Sequence, residues 1–460
     1  MLDAIRWDAE LIHRYDQTGP RYVCYPTPFQ FDGSLSSFDL LHALRRSRQA
    51  SRPLSLYLHL PFCANVCYHC HRNKVVSGER GRASHYLQRL EREIELVACH
   101  LGPNQTVEQL HFGGGTPTYL GHDELRRLMA HLRRCFKLQD DDHGDFAIEI
   151  DPREADWPTM GLLRELGFNR ISIGVPDLDP AVQHAINRPQ SLQQTQTIIE
   201  AARTLQFRSI RIDLAYGLPA QSIDGLRNTI ETVIAMQPDR ISLSGYTHMP
   251  ERHFPQRRID VGTLPSPAEK LALLELAVDQ LTRAGYRYIG MDHFALPDDE
   301  LAMAQEDGTL KRNFQGYTTH GHCDLVGLGV SAISQIGDDY FQNSSDINLY
   351  QQTLNKDQLA TIRGLKCSED QRIRRHVIQS LMCDFELRFA EIETELHIDF
   401  KEYFSGIWPE LRKMADEGLL QLTDGSLSIL PAGRLLAHAI CTLFDGQTPS
   451  RPALQMCRAI

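Results

Sequence analysis

The chain has 460 residues, enough for about three structural units at roughly 150 residues per domain. Hydrophobic residues make up 42% and charged residues 23%, which is the composition of an ordinary globular protein and excludes global disorder. Lys and Arg number 48 against 59 Asp and Glu, and the net charge of −11 argues against binding of DNA or RNA.

The sequence also argues against a membrane or secreted protein. No window approaches the roughly 18 uninterrupted apolar residues that a membrane span needs, and the acidic, mixed start does not resemble a secretory signal. The eleven cysteines therefore predict buried or metal-binding thiols in a reducing compartment rather than a disulfide framework. We expect a cytoplasmic protein.

Residues 1–50 form a lead-in that is rich in turn formers and aromatic residues and contains one predicted helix, Phe38–Arg46. Runs with strand character then alternate with amphipathic segments in which apolar residues recur at intervals of three and four. The predicted strands are Leu54–Leu60, Gln109–Phe112, Phe146–Asp151, Arg170–Val175, Ser209–Ala215, Arg240–Gly245 and Arg287–Met291. The predicted helices between them are His85–Ala98, Asp123–Phe136, Ser191–Leu205, Ile223–Met236 and Ala268–Ala284.

This alternation predicts an α/β fold in which a parallel sheet, with helices outside it, closes partly or fully into a barrel. In such a barrel the chemistry lies at the carboxyl ends of the strands. A doubly wound open sheet is the alternative. The motifs described below follow several successive strands rather than one switch point, and this favours the barrel.

The pattern changes at about residue 368. Two helices, Glu369–Phe385 and Trp408–Asp416, precede a predicted hairpin with an Asp424-Gly425 turn. Its strands are Leu419–Leu422 and Leu427–Leu430, and a last helix, Pro431–Leu443, follows. We therefore predict three domains: an N-terminal extension over 1–50, a barrel over 51–367, and a small α/β, winged-helix-like domain over 368–460.

Three cysteines stand within eight residues directly after the first predicted strand, in Cys63-Ala-Asn-Val-Cys67-Tyr-His-Cys70. A structural zinc would need a fourth ligand, which His59, His69 or His71 can supply. A redox pair would leave the third thiol unexplained. A [4Fe–4S] cluster held by three thiolates keeps one iron open for chemistry, and the spacing favours this interpretation over zinc.

The same spacing, with an aromatic residue between the last two cysteines, resembles the radical S-adenosylmethionine (SAM) superfamily, in which the open iron binds SAM. His111-Phe-Gly-Gly-Gly-Thr-Pro-Thr118 follows the second predicted strand, where that superfamily binds the methionine amine. Glycines there permit a close approach of the backbone to a ligand.

Within the superfamily, the chain resembles the oxygen-independent coproporphyrinogen III oxidase family over nearly its whole length. The segments that carry this resemblance are Gly19–Tyr22, Tyr25–Thr27, Tyr57–Cys63, Glu149–Glu154, Ile212–Pro219, Gly290–Ala295, Arg312–Thr319 and Gly329–Ile333. The last segments and the lead-in separate this family from shorter relatives that handle haem.

The resemblance implies a [4Fe–4S] cluster on Cys63, Cys67 and Cys70. It implies SAM contacts from Tyr57, His69, Gly114, Gly115, Thr116, Glu149, Arg188, Asp213, Thr247 and Ile333. For the last five of these residues, ordinary capping or lining of the core is the alternative. No catalytic side chain is assigned, because abstraction of a hydrogen atom by a radical needs no side-chain acid or base.

The implied reaction is the oxidative decarboxylation of two propionate side chains of coproporphyrinogen III to vinyl groups, which gives protoporphyrinogen IX in haem biosynthesis. The implied partners are this substrate, an external reductant and a terminal electron acceptor. The chain is expected to act as a monomer, with the extension over 1–50 covering the active site. Arg or Lys at the pocket mouth would suit the substrate's carboxylates, but the sequence does not mark which.

Two positions depart from the family pattern. The run Cys70-His71-Arg72-Asn73-Lys74 places an arginine where the family usually has a fourth cysteine, and Gly174-Val175-Pro176 replaces Gly-Val-Gln. The cluster needs only three thiolates, but a guanidinium cannot perform thiol chemistry, and proline offers neither a side-chain donor nor a backbone N–H. Both changes are expected in the pocket. A paralogue with altered or lost oxidase activity, such as a haem-handling protein, is therefore the second hypothesis; a zinc-stabilised barrel is disfavoured by Gly114–Thr116.

Overall fold

The computed structural model describes residues 5–15, 18–19, 24–77, 81–139, 142–446 and 457–458. Of the family segment Gly19–Tyr22, residues 20–22 lie outside this part. The chain divides into two compact units, each made of several chain segments. The larger contains Phe31–Gln280 and His322–Lys366, and the smaller contains Met1–Gln30, Leu281–Gly321 and Cys367–Ile460. The predicted division at residues 50 and 367 stays a prediction.

Ten strands of the larger unit form one hydrogen-bonded series. In chain order they are β1 Leu54–Leu60, β2 Thr106–Gly114, β3 Asp145–Ile150, β4 Arg170–Gly174, β5 Ser209–Tyr216, β6 Arg240–Gly245, β7 Asp324–Leu328, β8 Ile333–Ile336, β9 Asp339–Asn343 and β10 Thr361–Lys366. Their spatial order is β6-β5-β4-β3-β2-β1-β7-β8-β9-β10. The strands from β6 to β7 are parallel, and β8, β9 and β10 continue the series antiparallel.

Helices follow most of the parallel strands. They are Gly81–Leu101, His122–Cys135, Trp157–Glu165, Pro180–Ala185, Leu192–Thr204, Ile223–Ala235 and Pro267–Arg283. Two more helices are Ser37–Gln49, which precedes β1, and Ile347–Leu354, which follows β9. In β1, Leu54, Leu56, Leu58 and Leu60 are fully buried on one face, and Ser55 and His59 are buried on the other, as expected of a parallel strand that is covered on both faces.

The strand order decides between the two predicted architectures. From β1 to β6 each strand lies beside its predecessor in the chain, whereas a doubly wound sheet reverses direction at a switch point. The fold is therefore the predicted α/β partial barrel of parallel strands. The predicted bounds of β1 and β6 are correct, and those of β2 to β5 differ by at most three residues.

Two further short strand pairings lie in the larger unit. Lys137–Leu138 pairs with the start of β2, and Phe62–Cys63 pairs with Val75–Val76. Across the described residues, no helix combines the length and the apolar character that crossing a bilayer requires.

The smaller unit is mixed in structure. Its helices are Ala9–Tyr15, Glu300–Glu306, Glu369–Cys383, Phe389–Leu396, Phe400–Tyr403, Trp408–Asp416 and Ala437–Phe444. Its strands pair as Thr18–Gly19 with Cys457–Arg458, Arg287–Gly290 with His293–Ala295, and Lys311–Asn313 with Gly316–Thr318. In a three-stranded antiparallel sheet, Ser426–Ile429 lies between Glu386–Arg388 and Leu420–Leu422.

Helices followed by a hairpin confirm the small C-terminal α/β domain. Two details differ from the expectation. Arg287–Gly290 forms an antiparallel hairpin rather than a further parallel strand. The last helix begins at Ala437 instead of Pro431, because the chain first turns at Gly433, whose N–H donates to the carbonyl of Leu430.

Candidate cofactor site

The three clustered cysteines lie on the loop that follows β1. Cys67 is buried, and Cys63 and Cys70 are half-buried. Backbone hydrogen bonds hold this loop, since the N–H of Tyr68 donates to Ile186 O at 2.9 Å and the N–H of Cys70 donates to Cys67 O at 3.4 Å. These backbone hydrogen bonds therefore fix the positions of the thiols.

A cavity of about 220 Å³ opens beside the cysteines at the carboxyl ends of the parallel strands. Ten of the thirteen predicted cofactor residues line it: Cys63, Cys67, Cys70, His69, Gly114, Gly115, Thr116, Glu149, Arg188 and Asp213. Arg72 and Pro176, the two departures from the family pattern, also line it. The structure thus brings most of the predicted set into one place, together with both departures.

Three predicted residues do not line this cavity. The ring of Tyr57 stacks on His111 with centroids 5.7 Å apart, and the Nε2 of His111 lies 3.6 Å from Glu149 Oε1. The Tyr57 hydroxyl also lies 3.2 Å from His59 Nδ1, so Tyr57 contacts the site through His111 and His59. The carbonyl of Thr247 accepts a hydrogen bond from Gln256, and Ile333 starts β8, where its backbone packs against Gly327.

The glycines at the end of β2 have a structural cause. Gly114 has a φ of +105°, and a Cβ there would lie 2.7 Å from His59. A Cβ on Gly115 would lie 2.6 Å from the carbonyl oxygen of Phe62. The sequence predicts that the backbone at these glycines approaches a ligand closely. In the structure, the close contacts of Gly114 and Gly115 are instead with the segment His59–Phe62, which leads into the cysteine loop. The glycines position that loop against β2.

Positive charge surrounds Cys67. Its Sγ lies 3.5 Å from Arg188 Nη1 and 3.6 Å from Arg153 Nη2, and both guanidiniums also donate to Asp151 Oδ2. Burial raises the pKa of the Cys67 thiol, but Arg188 and Arg153 outweigh burial and hold its pKa below the ordinary value. This thiol is accordingly prepared to bind as a thiolate.

Glu149, on β3, forms an ion pair with Arg72. Burial opposes ionisation of Glu149, but the positive charge of Arg72 and the contact with His111 hold its pKa well below the usual range. Asp213, on β5, accepts a hydrogen bond from Ser172 Oγ at 2.7 Å and pairs with Arg211 Nε at 2.8 Å. Asp151 and Glu154 also line the cavity, so it presents four carboxylates, and arginines pair with Glu149, Asp151 and Asp213.

Sequence comparisons agree with this geometry. The Radical SAM superfamily profile matches residues 57–233, and the HemN C-terminal domain profile matches residues 367–436. The oxygen-independent coproporphyrinogen III oxidase of Pseudomonas aeruginosa is 62% identical over 460 residues, which is 100% of both chains. The protein of the same name from Escherichia coli is 43% identical over 451 residues, covering 98% of each.

A solved structure decides the assignment. The coproporphyrinogen III oxidase of Escherichia coli, described as a radical SAM enzyme, superposes with a TM-score of 0.92 at 42% identity, over 96% of this chain and 99% of that one. The chain belongs to the oxygen-independent coproporphyrinogen III oxidase family. The predicted family, fold class and radical SAM cofactors, a [4Fe–4S] cluster and SAM, are confirmed.

The residues present fit the cofactors of this radical SAM family. Three thiols on one loop offer the cluster ligands, and two buried nitrogens that line the cavity, Arg188 Nε and His69 Nδ1, have no hydrogen-bond partner. Burial lowers the pKa of His69 to about 3, so its ring is neutral. Buried unpartnered polar atoms cost free energy unless a ligand satisfies them.

Sequence reasoning missed four charged residues of the cavity: Lys74, Asp151, Arg153 and Glu154. For Asp151 and Arg153 the signal was present in Glu149-Ile-Asp-Pro-Arg-Glu154, which was used only for Glu149. Residues two apart share a face of a strand, so Asp151, two positions after Glu149, was a candidate for the same cavity. Arg153 lies in the 3₁₀ turn Pro152–Glu154 that follows β3. Lys74, whose Nζ donates to Cys67 O at 3.3 Å, gave no such signal.

Proposed function

We propose that the chain carries out the oxidative decarboxylation of coproporphyrinogen III to protoporphyrinogen IX. Each of two propionates loses one hydrogen atom from its β-carbon, carbon dioxide from its carboxylate and one electron, and a vinyl group remains. One observation carries the proposal: three thiols, four carboxylates and an unpartnered arginine nitrogen converge on one cavity, in a chain that matches an oxidase of this name at 62% identity over its full length.

When bound, the [4Fe–4S] cluster and SAM supply an electron and a 5′-deoxyadenosyl radical that takes the hydrogen atom. Cys63, Cys67 and Cys70 would hold the cluster. Arg188, through its unpartnered Nε, would donate to the carboxylate of SAM. Asp213 would accept hydrogen bonds from hydroxyl or amine groups of SAM, and the Asp151–Arg188 pair keeps the guanidinium in place.

The remaining predicted SAM contacts are part of this proposal. They are His69, Gly114, Gly115, Thr116 and Glu149 at the cavity, and Tyr57, Thr247 and Ile333 outside its lining. We also propose a monomer in the cytoplasm that receives electrons from an external reductant and passes them to an external acceptor. Ten of the eleven cysteines are free thiols, which supports a reducing compartment.

The second candidate is a paralogue that handles haem without oxidising coproporphyrinogen III. Arg72 favours it, because its ion pair with Glu149 occupies a carboxylate that the family resemblance assigns to SAM. Pro176 favours it also, since it lines the cavity and has no side-chain donor.

Product analysis separates the two functions. Anaerobically prepared, cluster-loaded protein is incubated with coproporphyrinogen III, SAM and a reductant, and porphyrinogens are analysed after oxidation. Formation of protoporphyrinogen IX supports the oxidase. SAM binding and haem binding without this product would instead support the paralogue.

Two cysteine variants test the cluster ligands within the same assay. Cys67→Ser should lose iron and abolish SAM cleavage, because a neutral hydroxyl replaces a buried thiolate ligand. Cys99→Ser is the matched control, since Cys99 is exposed on the helix Gly81–Leu101. Retained SAM cleavage in Cys67→Ser would refute the ligand assignment.

A further inference from the structure

The segment that follows β6 is fixed against the cysteine loop. It contains two 3₁₀ turns, Phe254–Arg258 and Val261–Thr263. Gln256 is completely buried and donates from Nε2 to the carbonyls of Thr247, at 3.2 Å, and His69, at 3.4 Å. Its Oε1 accepts the N–H of Met249. Through Gln256, this segment packs against the loop that carries the cysteines and is held in place there.

This segment carries two exposed arginines and two exposed apolar side chains. The Arg257 guanidinium lies 4.5 Å from the ring centroid of Phe254, and the Arg258 guanidinium lies 5.4 Å from that of Tyr68, which stands between Cys67 and Cys70 in the chain. Phe254 is 66% exposed and Val261 is 64% exposed. Stacking on an aromatic ring orients a guanidinium and leaves its edge donors available.

These two arginines are not neutralised. Within the described part of the chain, neither Arg257 nor Arg258 has a carboxylate partner. Several exposed arginines elsewhere in this acidic chain do have one, as Arg203 does with Asp239 and Arg388 with Glu386. Oriented cations beside exposed aromatic and aliphatic groups are complementary to a ligand with an apolar ring system and several carboxylates.

We propose that Arg257 and Arg258, together with the exposed Phe254, form the subsite that binds the carboxylates and one apolar face of coproporphyrinogen III. The substrate has four propionates and only one reacts at a time, so the others are available as anchors. This inference rests on the proposed function and adds the residues that recognise its substrate.

Direct binding tests the subsite without turnover. Coproporphyrin III, the stable oxidised form of the substrate, is titrated against the cluster-loaded protein by fluorescence. Arg257→Gln and Arg258→Gln should each weaken binding about tenfold, and the double variant by up to about a hundredfold, because each removes a charge-assisted contact. Arg258→Lys keeps the charge and should recover part of the affinity. Higher salt should weaken binding to the parent protein more than to the double variant.

Steady-state kinetics and SAM binding complete the test. In the arginine variants, KM for coproporphyrinogen III should rise in parallel with the dissociation constant for coproporphyrin III. kcat should stay within a few fold of the parent value, and the Kd for SAM should be unchanged. Arg48→Gln is the matched control, an exposed arginine in a cavity at the amino ends of β1 and β2. It should behave as the parent.

The outcomes separate this subsite from the proposed function. Parent-like binding and KM in the double variant, with normal turnover by the parent, would overturn the subsite and leave the function standing. Absence of protoporphyrinogen IX with the parent would overturn the function, while weaker binding in the variants would still support the subsite. A parallel loss of SAM affinity or iron would indicate a disturbed cysteine loop and would also overturn the subsite.

Discussion

At the residue scale, the cavity is built from paired charges. Arg72 pairs with Glu149, Arg211 with Asp213, and Asp151 with both Arg153 and Arg188. Removing one partner of a buried pair leaves the other uncompensated, at a cost of about 3–5 kcal/mol. Arg72 is the most exposed of these arginines, so it is the partner that can be replaced with the least structural cost.

We predict that Arg72→Gln strengthens SAM binding several fold. The substitution frees Glu149 and removes a positive charge from a cavity that receives a sulfonium cation. The same loss of charge beside the cluster should lower its midpoint potential by tens of millivolts, on the order seen when charge near such clusters changes. SAM affinity is measured by calorimetry and the potential by anaerobic redox titration.

Arg72→Lys is the control for this substitution, because it keeps the charge near Glu149 while losing the planar guanidinium. Its midpoint potential should stay close to that of the parent. Equal SAM affinity and equal potential in the parent and Arg72→Gln would show that the ion pair has no influence on the cofactors.

The contact between β2 and the cysteine loop gives a second prediction. Gly115→Ala should lower the iron content and the melting temperature, because its Cβ would lie 2.6 Å from the backbone of Phe62 and force the loop away from β2. Gly161→Ala, with nothing within 4 Å of its Cβ in the helix Trp157–Glu165, should keep full iron and gain up to about 1 kcal/mol. Full iron loading in Gly115→Ala would contradict the proposed role of the close approach.

At the element scale, the sequence predicts those parts that local pattern determines. Strands β1 to β6 were found because each is an apolar run between amphipathic helices, and the site residues were found because they follow these strands. Strands β7 to β10 were missed. The runs of β8 to β10, such as Asp339–Asn343 and Thr361–Lys366, mix polar and apolar residues. Strand β7, Asp324–Leu328, is a short apolar run, and it pairs with β1, which is distant in sequence.

Glu93 shows how such distant contacts arise. It lies on the helix Gly81–Leu101 and is almost completely buried. Its Oε2 accepts hydrogen bonds from the N–H of Gly329, at 2.7 Å, and from the hydroxyl of Tyr350, at 2.6 Å, and its Oε1 accepts from Asn343 Nδ2 at 2.6 Å. One carboxyl group thus joins this helix to the ends of β7 and β9, which no local pattern reveals.

Burial raises the pKa of Glu93 to about 7, against the opposing effect of these hydrogen bonds. The folded state therefore holds this proton more tightly than the unfolded state. Its contribution to stability is complete below the unfolded pKa of about 4.5 and is lost as the pH rises through about 7. The full change is on the order of 3 kcal/mol.

We predict that Glu93→Gln removes this pH dependence. Relative to Glu93→Gln, the parent should lose about 3 kcal/mol of unfolding free energy when the pH is raised from 4.5 to 8. Urea unfolding at both pH values measures it. Glu95→Gln, at a half-buried position on the same helix, is the control and should leave the pH dependence of the parent in place. A constant difference for Glu93→Gln would rule out the raised pKa.

At the scale of the whole molecule, the smaller unit combines three segments that are far apart in sequence. Ile289 and Leu310 share a buried cluster with Cys383. Gln305 Nε2 donates to the carbonyls of both Ile289, at 2.7 Å, and Cys383, at 2.6 Å. The change of pattern at residue 368 was visible in the sequence, but these contacts between segments were not, since they depend on the tertiary fold alone.

These contacts predict the effect of ending the chain after Lys366. The deletion removes the helix Glu369–Cys383 from the cluster around Ile289 and Leu310 and takes one acceptor from the buried Gln305. Residues 287–310 should then lose amide protection by orders of magnitude in hydrogen exchange, because an exposed apolar cluster and an unsatisfied buried donor both favour local opening. The amides of β4, in the larger unit, are the internal control and should stay protected. Parent-like protection of 287–310 in the deleted chain would show that this segment folds without the C-terminal residues and would refute the grouping of the three segments into one cooperative unit.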